Sequence, residues 1–511
     1  MRVPEERVRQ VETLRLEEQS RSAPVSLSQA TTRAAETRPT TRPTTRPAAE
    51  SVELSIADVR AAALANNLDL RVELTRPEIA RQLENEELAR FEAAFVGAAR
   101  HTRQESVSPL GLSANAGEFQ NYEAGVRVPL RTGGTAVIGP SLGRSQVDED
   151  PQYDGGLRFS LSHPLLRDAG VDVNTYFIRA AQYQKQAVHA RTKLEAIRIL
   201  ANADRAYWLL YDARGELEVR QRQFELAQRQ VDEARQRVAA GELPGIEVTR
   251  AESGRASRLE DILVAETLVR RRERDLRRMM NRPDLPLDAD ASLTPTTRPQ
   301  PVGLDLDAVA LANYALANRM EMLELELLLT LDESTIDLER NRALPLFTLD
   351  YSYHLVGAGR SPGAAFELDR NNAENWSIGL TAEIPLGNQA ARSRVRRAIL
   401  ERVQRLATRD LRRLAIRQEV HDAVDQVHQN WQRIIAARNE AILAGRTYAA
   451  ERRQFEFGRR TSTDVLDAAE RLALAQSREV RALTDYEIAR IDIAFATGTV
   501  LGHGRVVLPL R

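Results

Sequence analysis

Apolar positions in this chain follow two different periods, which alternate along its length. From about Asn174 to Ala240 there is no proline and one glycine, Gly215. Within that run Leu210, Leu217, Phe224, Val231 and Val238 recur every seven residues, interleaved with Ala206, Ala213, Ala227 and Ala234. A second run repeats the pattern with Val420, Val427, Ile434, Ala441, Tyr448 and Phe455. Large and small residues on one seam suit close antiparallel packing of neighbouring helices. At 1.5 Å per residue each run predicts a helix of roughly 100 Å.

Between the helical runs the period changes to two. Asn121 to Arg131, a Thr132-Gly133-Gly134 turn and Thr135 to Arg144 predict a hairpin. Asp154 to Leu165 follows, alternating Leu157, Phe159 and Leu161 against Arg158, Ser160 and Ser162. Leu344 to Leu355 and Trp376 to Leu386 predict two more strands, the second alternating Ile378, Leu380 and Ala382 against smaller or polar partners. Strands of about ten residues with such alternation are what a membrane-spanning barrel requires. About four to six strands cannot close a barrel in one chain, and an open edge is intolerable in lipid. A membrane reading therefore demands an oligomer, with Arg127, Arg144 and Arg158 pointing inward or lying at an interface.

The second half of the chain repeats the first. Thr45-Arg46-Pro47 lines up with Thr297-Arg298-Pro299, and the same offset carries Leu54 onto Leu306, Leu64-Ala65-Asn66 onto Leu316-Ala317-Asn318 and Phe95 onto Phe347. Further on, His163-Pro164-Leu165 answers Ile384-Pro385-Leu386, and Gly241 answers Gly458. The expected organisation is a Thr/Arg/Pro-rich tail over residues 1–50, a first repeat over 51–293, a Pro-rich linker over 294–302, a second repeat over 303–501 and a short tail over 502–511. Two copies of a helix–strands–helix unit describe a chain that runs the length of one structure twice.

Composition narrows the function. The 72 basic residues balance 73 acidic ones, so there is no global case for a nucleic-acid partner. Cysteine is absent, which excludes disulfides, thiol chemistry and a lipidated cysteine. No run of about eighteen apolar residues predicts a membrane helix. The tail has neither an apolar signal core nor spacing compatible with helix or ladder, and is expected to be disordered. An exported protein would need a signal this chain does not display.

The seven histidines form no metal-binding cluster; His421 and His428 share only heptad spacing. No phosphate loop or serine elbow is present. These observations predict a protein that is not an enzyme and holds no cofactor or metal.

Four motifs in order carry a resemblance. They are Leu54-Ser55-Ile56-Ala57 through Ala65-Asn66-Asn67-Leu68, the strand exit Leu161-Ser162-His163-Pro164-Leu165-Leu166-Arg167, Trp376-Ser377-Ile378-Gly379-Leu380 to Ile384-Pro385-Leu386-Gly387, and Gly458-Arg459-Arg460-Thr461-Ser462-Thr463-Asp464-Val465-Leu466-Asp467-Ala468. Together they resemble the TolC-type outer-membrane efflux proteins from about Val52 to Leu501. His163 stands in the usual Gln place. The resemblance implies a mainly α fold with membrane strands: a homotrimer in which each copy lends two strands per repeat to one shared β-barrel and its long helices to a hollow periplasmic α-barrel. It also implies a conduit for efflux or type I secretion in the outer-membrane lipid, joined through a periplasmic adaptor to an inner-membrane transporter.

Site residues follow by the same resemblance. Asp464, Asp467, Arg460 and Phe455 fall at the periplasmic gate, with Phe455 where a Tyr is usual. Gly241, Leu243, Pro244, Gly458 and Thr461 fall at turns that meet the adaptor. Glu247 and Arg250 occupy the Asp464 and Asp467 places in the first repeat, an asymmetry that assigns the gate to the second. Whether the Gly133-Gly134 hairpin joins the barrel or projects outward is open from the sequence, and a soluble coiled-coil scaffold capped by a small sheet is the competing reading.

Overall fold

The computed structural model describes residues 51–106, 115–146, 150–242, 244–367 and 372–504. The tail expected over residues 1–50, Leu243 of the first turn and residues 505–511 lie outside the described residues. The helices are α1 (Ile56–Asn66), α2 (Leu68–Leu88), α3 (Tyr176–Ala239), α4 (Ile246–Met280), α5 (Ala308–Asn318), α6 (Met320–Arg342), α7 (Gln389–Glu456) and α8 (Ser462–Thr497). The strands are β1 (Ser51–Leu54), β2 (Ala94–Ser106), β3 (Asn115–Pro129), β4 (Thr135–Gln146), β5 (Gln152–Pro164), β6 (Ser292–Pro295), β7 (Leu346–Gly359) and β8 (Asn372–Glu383). The Val500–Gly504 part of the C-terminal segment is helical.

The long helices are as long as their period predicts. α3 has 64 residues and α7 has 68, about 96 and 102 Å at helical rise. Their heptad positions pack as read: Leu210, Val231, Val420 and Val427 are fully buried, while Phe224 and Tyr448 are half-buried. α3 and α7 run the full height of a helical layer four helices wide. Next to the sheet the order is α2–α3–α6–α7, and toward the far end it is α4–α3–α8–α7. The two levels meet at a middle zone where β1 and β6 pair in parallel and α1 and α5 dock on the long helices. Tyr207 ties that zone together: its hydroxyl donates to Leu54 O at 3.2 Å and accepts from Thr297 N–H at 2.9 Å. Arg60 meets Asp204, itself almost fully buried, through two 2.8 Å hydrogen bonds. One carboxylate matched by one guanidinium in this way satisfies both charges.

The six long strands form one antiparallel sheet in the order β2-β3-β4-β5-β7-β8. Two strands per repeat were expected, and the second repeat supplies β7 and β8. The first repeat supplies four, because β3 and β4 form a complete extra hairpin hydrogen-bonded between β2 and β5. The turn at Gly133-Gly134 therefore belongs to the sheet. The sequence reading also missed β2, although Phe95 aligned with Phe347, which lies at the start of β7. β6, likewise unexpected, extends into the segment read as a linker.

Gly215 shows why α3 carries a single glycine. A Cβ built there would lie 2.6 Å from Val480 Cγ1 on α8, so the glycine sets the approach of the two helices. Val480 is β-branched and held in few rotamers on its helix, so it cannot turn aside. Gly215→Ala is expected to destabilise by about 1–3 kcal/mol through overpacking, despite alanine's better helix propensity. Combining it with Val480→Ala should recover stability in a thermal double-mutant cycle; equal losses with and without Val480→Ala would contradict the contact.

One helix turn earlier, burial pushes the Asp212 carboxyl up to about 6, Arg481 opposing and Asp485, Glu216 adding to the rise, with Arg272 also opposing. The folded state holds this proton more tightly than the unfolded chain. Its contribution to stability is therefore complete below the unfolded value and declines as pH rises from about 4 through 6. Asp212→Asn is expected to raise stability at pH 8 by roughly 1–3 kcal/mol and to leave it unchanged below pH 4. Melts of the detergent-purified protein at both pH values measure this.

Candidate functional site

Two regions carry functional geometry: the ends of the helical hairpins and the faces of the sheet. At the far end, α3 and α7 terminate identically. Gly241 and Gly458 have φ of +78° and +71°, in the left-handed region that glycine enters without penalty. The following residue in each turn reaches back, Glu242 N–H to Arg237 O and Arg459 N–H to Gln454 O, both at 2.9 Å. This satisfies carbonyls that a helix end leaves open. A Cβ at either glycine would meet nothing within 4 Å, so both turns are presented to solvent. Pro244 is exposed beside the first turn, and its carbonyl accepts from Glu247 N–H at 3.1 Å.

The restart of the helices differs between repeats. α4 begins at Gly245 with no side-chain cap. α8 begins with a reciprocal capping box, in which Thr461 Oγ1 accepts from Asp464 N–H and Asp464 Oδ2 accepts from Thr461 N–H at 2.9 Å. Backbone and hydroxyl hydrogen bonds from Thr461, with Arg460 nearby, hold the Asp464 carboxyl below its ordinary value. Its charge is thus used by its own helix start, where an anion is also favoured by the helix dipole. Asp467, one turn on, is exposed with no ion-pair partner among the described residues. The first repeat differs again: Arg250 donates to Glu247 Oε1 at 2.6 Å, which neutralises the matching pair.

Arg460 is engaged within its own turn. Its Nε lies 3.1 Å from Gln454 Oε1 and 3.2 Å from Glu451 Oε2. Phe455 is buried, and the Arg237 guanidinium of the first hairpin sits 4.6 Å from its ring centroid. A cation over an aromatic face is attracted to it. Arg258 adds a second bridge to Glu470 at 2.9 Å. Neither arginine was singled out from the sequence, although Arg237 stands where the second repeat has Gln454, a difference the repeat alignment contains. The structure thus brings Phe455 and the Gly241 turn together through Arg237, and separates Arg460 from Asp464 and Asp467 as contact partners.

The sheet sorts its side chains by chemistry. Phe95, Val126, Ile138, Phe159, Tyr353 and Trp376 are cross-strand partners in one unbroken row spanning all six strands. Val128, Ala136, Leu161, Tyr351 and Ile378 form the next row on the same face. On β3 and β4 this apolar stretch runs from Val128 to Tyr122 and from Ala136 to Leu142, about 20 Å along the strand. Several of these side chains face solvent in the single chain, with Phe95 79% and Trp376 67% exposed.

The opposite face is polar. Arg158 pairs with Glu123 at 2.8 Å across β4, where Gly139 leaves the path clear. Ser141 bonds His354 at 2.8 Å, and Ser162 donates to Asp350 at 2.6 Å. Arg127 shares this face by register. Arg144 instead shares the apolar side, six residues beyond Ile138 at the strand's outer end, where it bonds Gln146 and lies over Tyr153. It marks a rim.

Comparison with known proteins agrees with this architecture. The sequence model of the outer membrane efflux protein family matches residues 311–499. No curated protein matches the chain by sequence. The Campylobacter jejuni CmeC outer membrane channel superposes with a TM-score of 0.65 at 14% identity, covering 87% of this chain and 85% of that one. The outer membrane protein VceC from Vibrio cholerae gives 0.64 at 16% identity, covering 87% and 96%. The open-state Neisseria gonorrhoeae MtrE outer membrane channel gives 0.62 at 17%, covering 87% and 89%. That sequence match lies across the second repeat, and the fold shared with these structures runs through both repeats.

Proposed function

We propose that this protein is a homotrimeric outer-membrane conduit that passes substrates from an inner-membrane transporter and its periplasmic adaptor to the exterior, in efflux or type I secretion. The observation that carries the reading is that both lateral edges of the protomer are unsatisfied in the sheet and in the helical level next to it, among the described residues. In the sheet, β2 pairs only with β3 and β8 only with β7 among the described residues. Beneath them, Val72, Ile79 and Leu83 on α2 and Leu400, Val403, Leu411 and Leu414 on α7 are half or more exposed. Each set follows helical spacing, so each forms a stripe. Identical copies placed side by side cover α2 with α7 and pair β2 with β8. A soluble scaffold would leave the Phe95–Trp376 row in water, which disfavours that alternative.

The trimer is tested by extraction. Full-length protein is expected in the outer-membrane fraction, released by detergent as a trimer by native mass spectrometry. Leu411→Gln with Leu414→Gln should shift it toward monomer. Recovery of wild type as a soluble monomer would overturn the conduit.

The gate reading assigns the narrow periplasmic mouth to the α7–α8 turn, with Gly241, Pro244, Gly458 and Thr461 as the exposed surface met by the adaptor. Within it, Asp467 is the carboxylate free to form a ring of three in the trimer, while Asp464 holds the helix start and Arg460 holds the turn through Glu451. Rings of like charge in a narrow aperture attract cations and exclude anions. Asp467→Asn is therefore expected to weaken cation selectivity and block by divalent cations in single-channel recordings, more than Asp464→Asn does. Arg460→Ala should raise resting conductance. Unchanged selectivity in Asp467→Asn would remove the gate from this position.

A further inference from the structure

We infer that the hairpin β3–β4 is a wall element of the barrel, so that three copies joined from β2 of one to β8 of the next close eighteen strands rather than twelve. The inference rests on the trimeric reading above and concerns the width of its pore. Four observations support it.

First, the hairpin is integrated on both sides. β3 pairs with β2 along thirteen residues of continuous register, and β4 pairs with β5 along eleven. The one interruption lies between β3 and β4 themselves, where Pro140 lacks an N–H and the ladder skips two positions.

Second, the hairpin obeys the chemistry of a wall. Its Val126 and Ile138 lie in the apolar row, and its Glu123 and Ser141 contact Arg158 and His354 on the polar face. A hairpin folded outward or across a lumen has no reason to alternate in phase with the four other strands.

Third, its turn is seated at the strand exit. Thr132 Oγ1 meets His163 Nε2 at 2.9 Å and Thr132 O accepts from Gly170 N–H at 3.0 Å. A Cβ at Gly133, φ +101°, would lie 2.3 Å from Asp168 O. His163 therefore has a partner that only the inserted turn provides.

Fourth, the widths agree. α2, α3, α6 and α7 lead to β2, β5, β7 and β8 in the same lateral order, and the hairpin sits over the α2–α3 junction. Four helices at 8–10 Å spacing span roughly 32–40 Å. Six strands about 4.8 Å apart and tilted near 40° span roughly 37 Å, whereas four span about 25 Å. Six strands thus cover the helical layer without a taper. β2 and β8 run in opposite directions and have 13 and 12 residues, so the joint between copies continues the antiparallel alternation. On the same spacing a barrel of eighteen strands has a backbone diameter of about 35 Å, against about 24 Å for twelve.

The absence of native cysteine makes the test direct. Single cysteines are placed in the full chain at Val126 and Ile138 for the apolar face and at Asn121 and Val137 for the polar face. Tyr351→Cys and Ser352→Cys on β7 serve as the reference, because β7 is a wall strand in either barrel. In proteoliposomes, a charged methanethiosulfonate is expected to modify Asn121→Cys, Val137→Cys and Ser352→Cys. Bimane attached at the other three positions should be quenched by nitroxide lipids. If β7 alternates while all four hairpin positions react with the charged reagent, the hairpin is not in the wall and the inference falls, with the channel intact. If β7 does not alternate either and no trimer is found, the conduit reading falls as well. Deleting residues 107–149 joins β2 to β5 at their outer ends. Where that variant forms a trimer, polymer exclusion from the outer mouth should report a cross-section at least about twofold smaller. An unchanged cut-off overturns the eighteen-stranded wall.

Discussion

A strand edge inside hydrocarbon has no water with which to pair its N–H and C=O groups, and each unpaired group costs several kcal/mol. That constraint governs this protein more than any single contact within it. The six-stranded sheet is complete in its interior and open at both ends, and the apolar stripes on α2 and α7 lie beneath those open ends. Among the described residues no other strand pairs with β2 or β8 at these ends, and α3 and α7 pack on their own neighbours through the heptad seams. These open edges are what the proposed lateral assembly would satisfy. A chain that builds nearly the same unit twice ends its sheet on an antiparallel partner for its own beginning.

The helix tips show how little of a conspicuous motif needs to be free for function. The Gly458-to-Ala468 segment reads as a row of charged and hydroxyl groups, but Arg460, Thr461 and Asp464 among them are engaged locally. Thr461 and Asp464 satisfy each other's backbone, and Arg460 is held by Glu451 and Gln454. What couples the two hairpins is a pair of arginines from the first repeat, Arg237 on Phe455 and Arg258 on Glu470. The tip is consequently one unit made from both repeats, with the charged groups of the first neutralised and Asp467 of the second exposed.

The inserted hairpin explains a departure that the strand-exit motif left unexplained. His163 occupies a position where glutamine is usual, and in this fold its ring nitrogen meets Thr132 of the extra turn. Substitution and insertion are parts of one local solution. Gly133 belongs to it as well, because the turn approaches the Asp168 carbonyl more closely than any side chain permits.

Helix length, the heptad seams, the period-two segments and the repeat are local in origin, and the sequence alone determined them. Each depends on residues a few positions apart, whose spacing decides which face of an element is apolar. The turns at Gly241 and Gly458 were legible for the same reason. β2 was not, because its alternation is weak and its apolar face carries Gly97 and Ala99 beside Phe95. β6 was not, because four residues have no readable period. Only the tertiary structure decided that the Gly133-Gly134 hairpin enters the sheet, since that depends on ladders formed with β2 and β5 on either side. It also decided which aspartate at the tip is spent on a cap, as Asp464 and Asp467 look alike in sequence until the backbone places Thr461 against one of them. Local spacing sets what each segment is; long-range pairing sets which polar groups remain available.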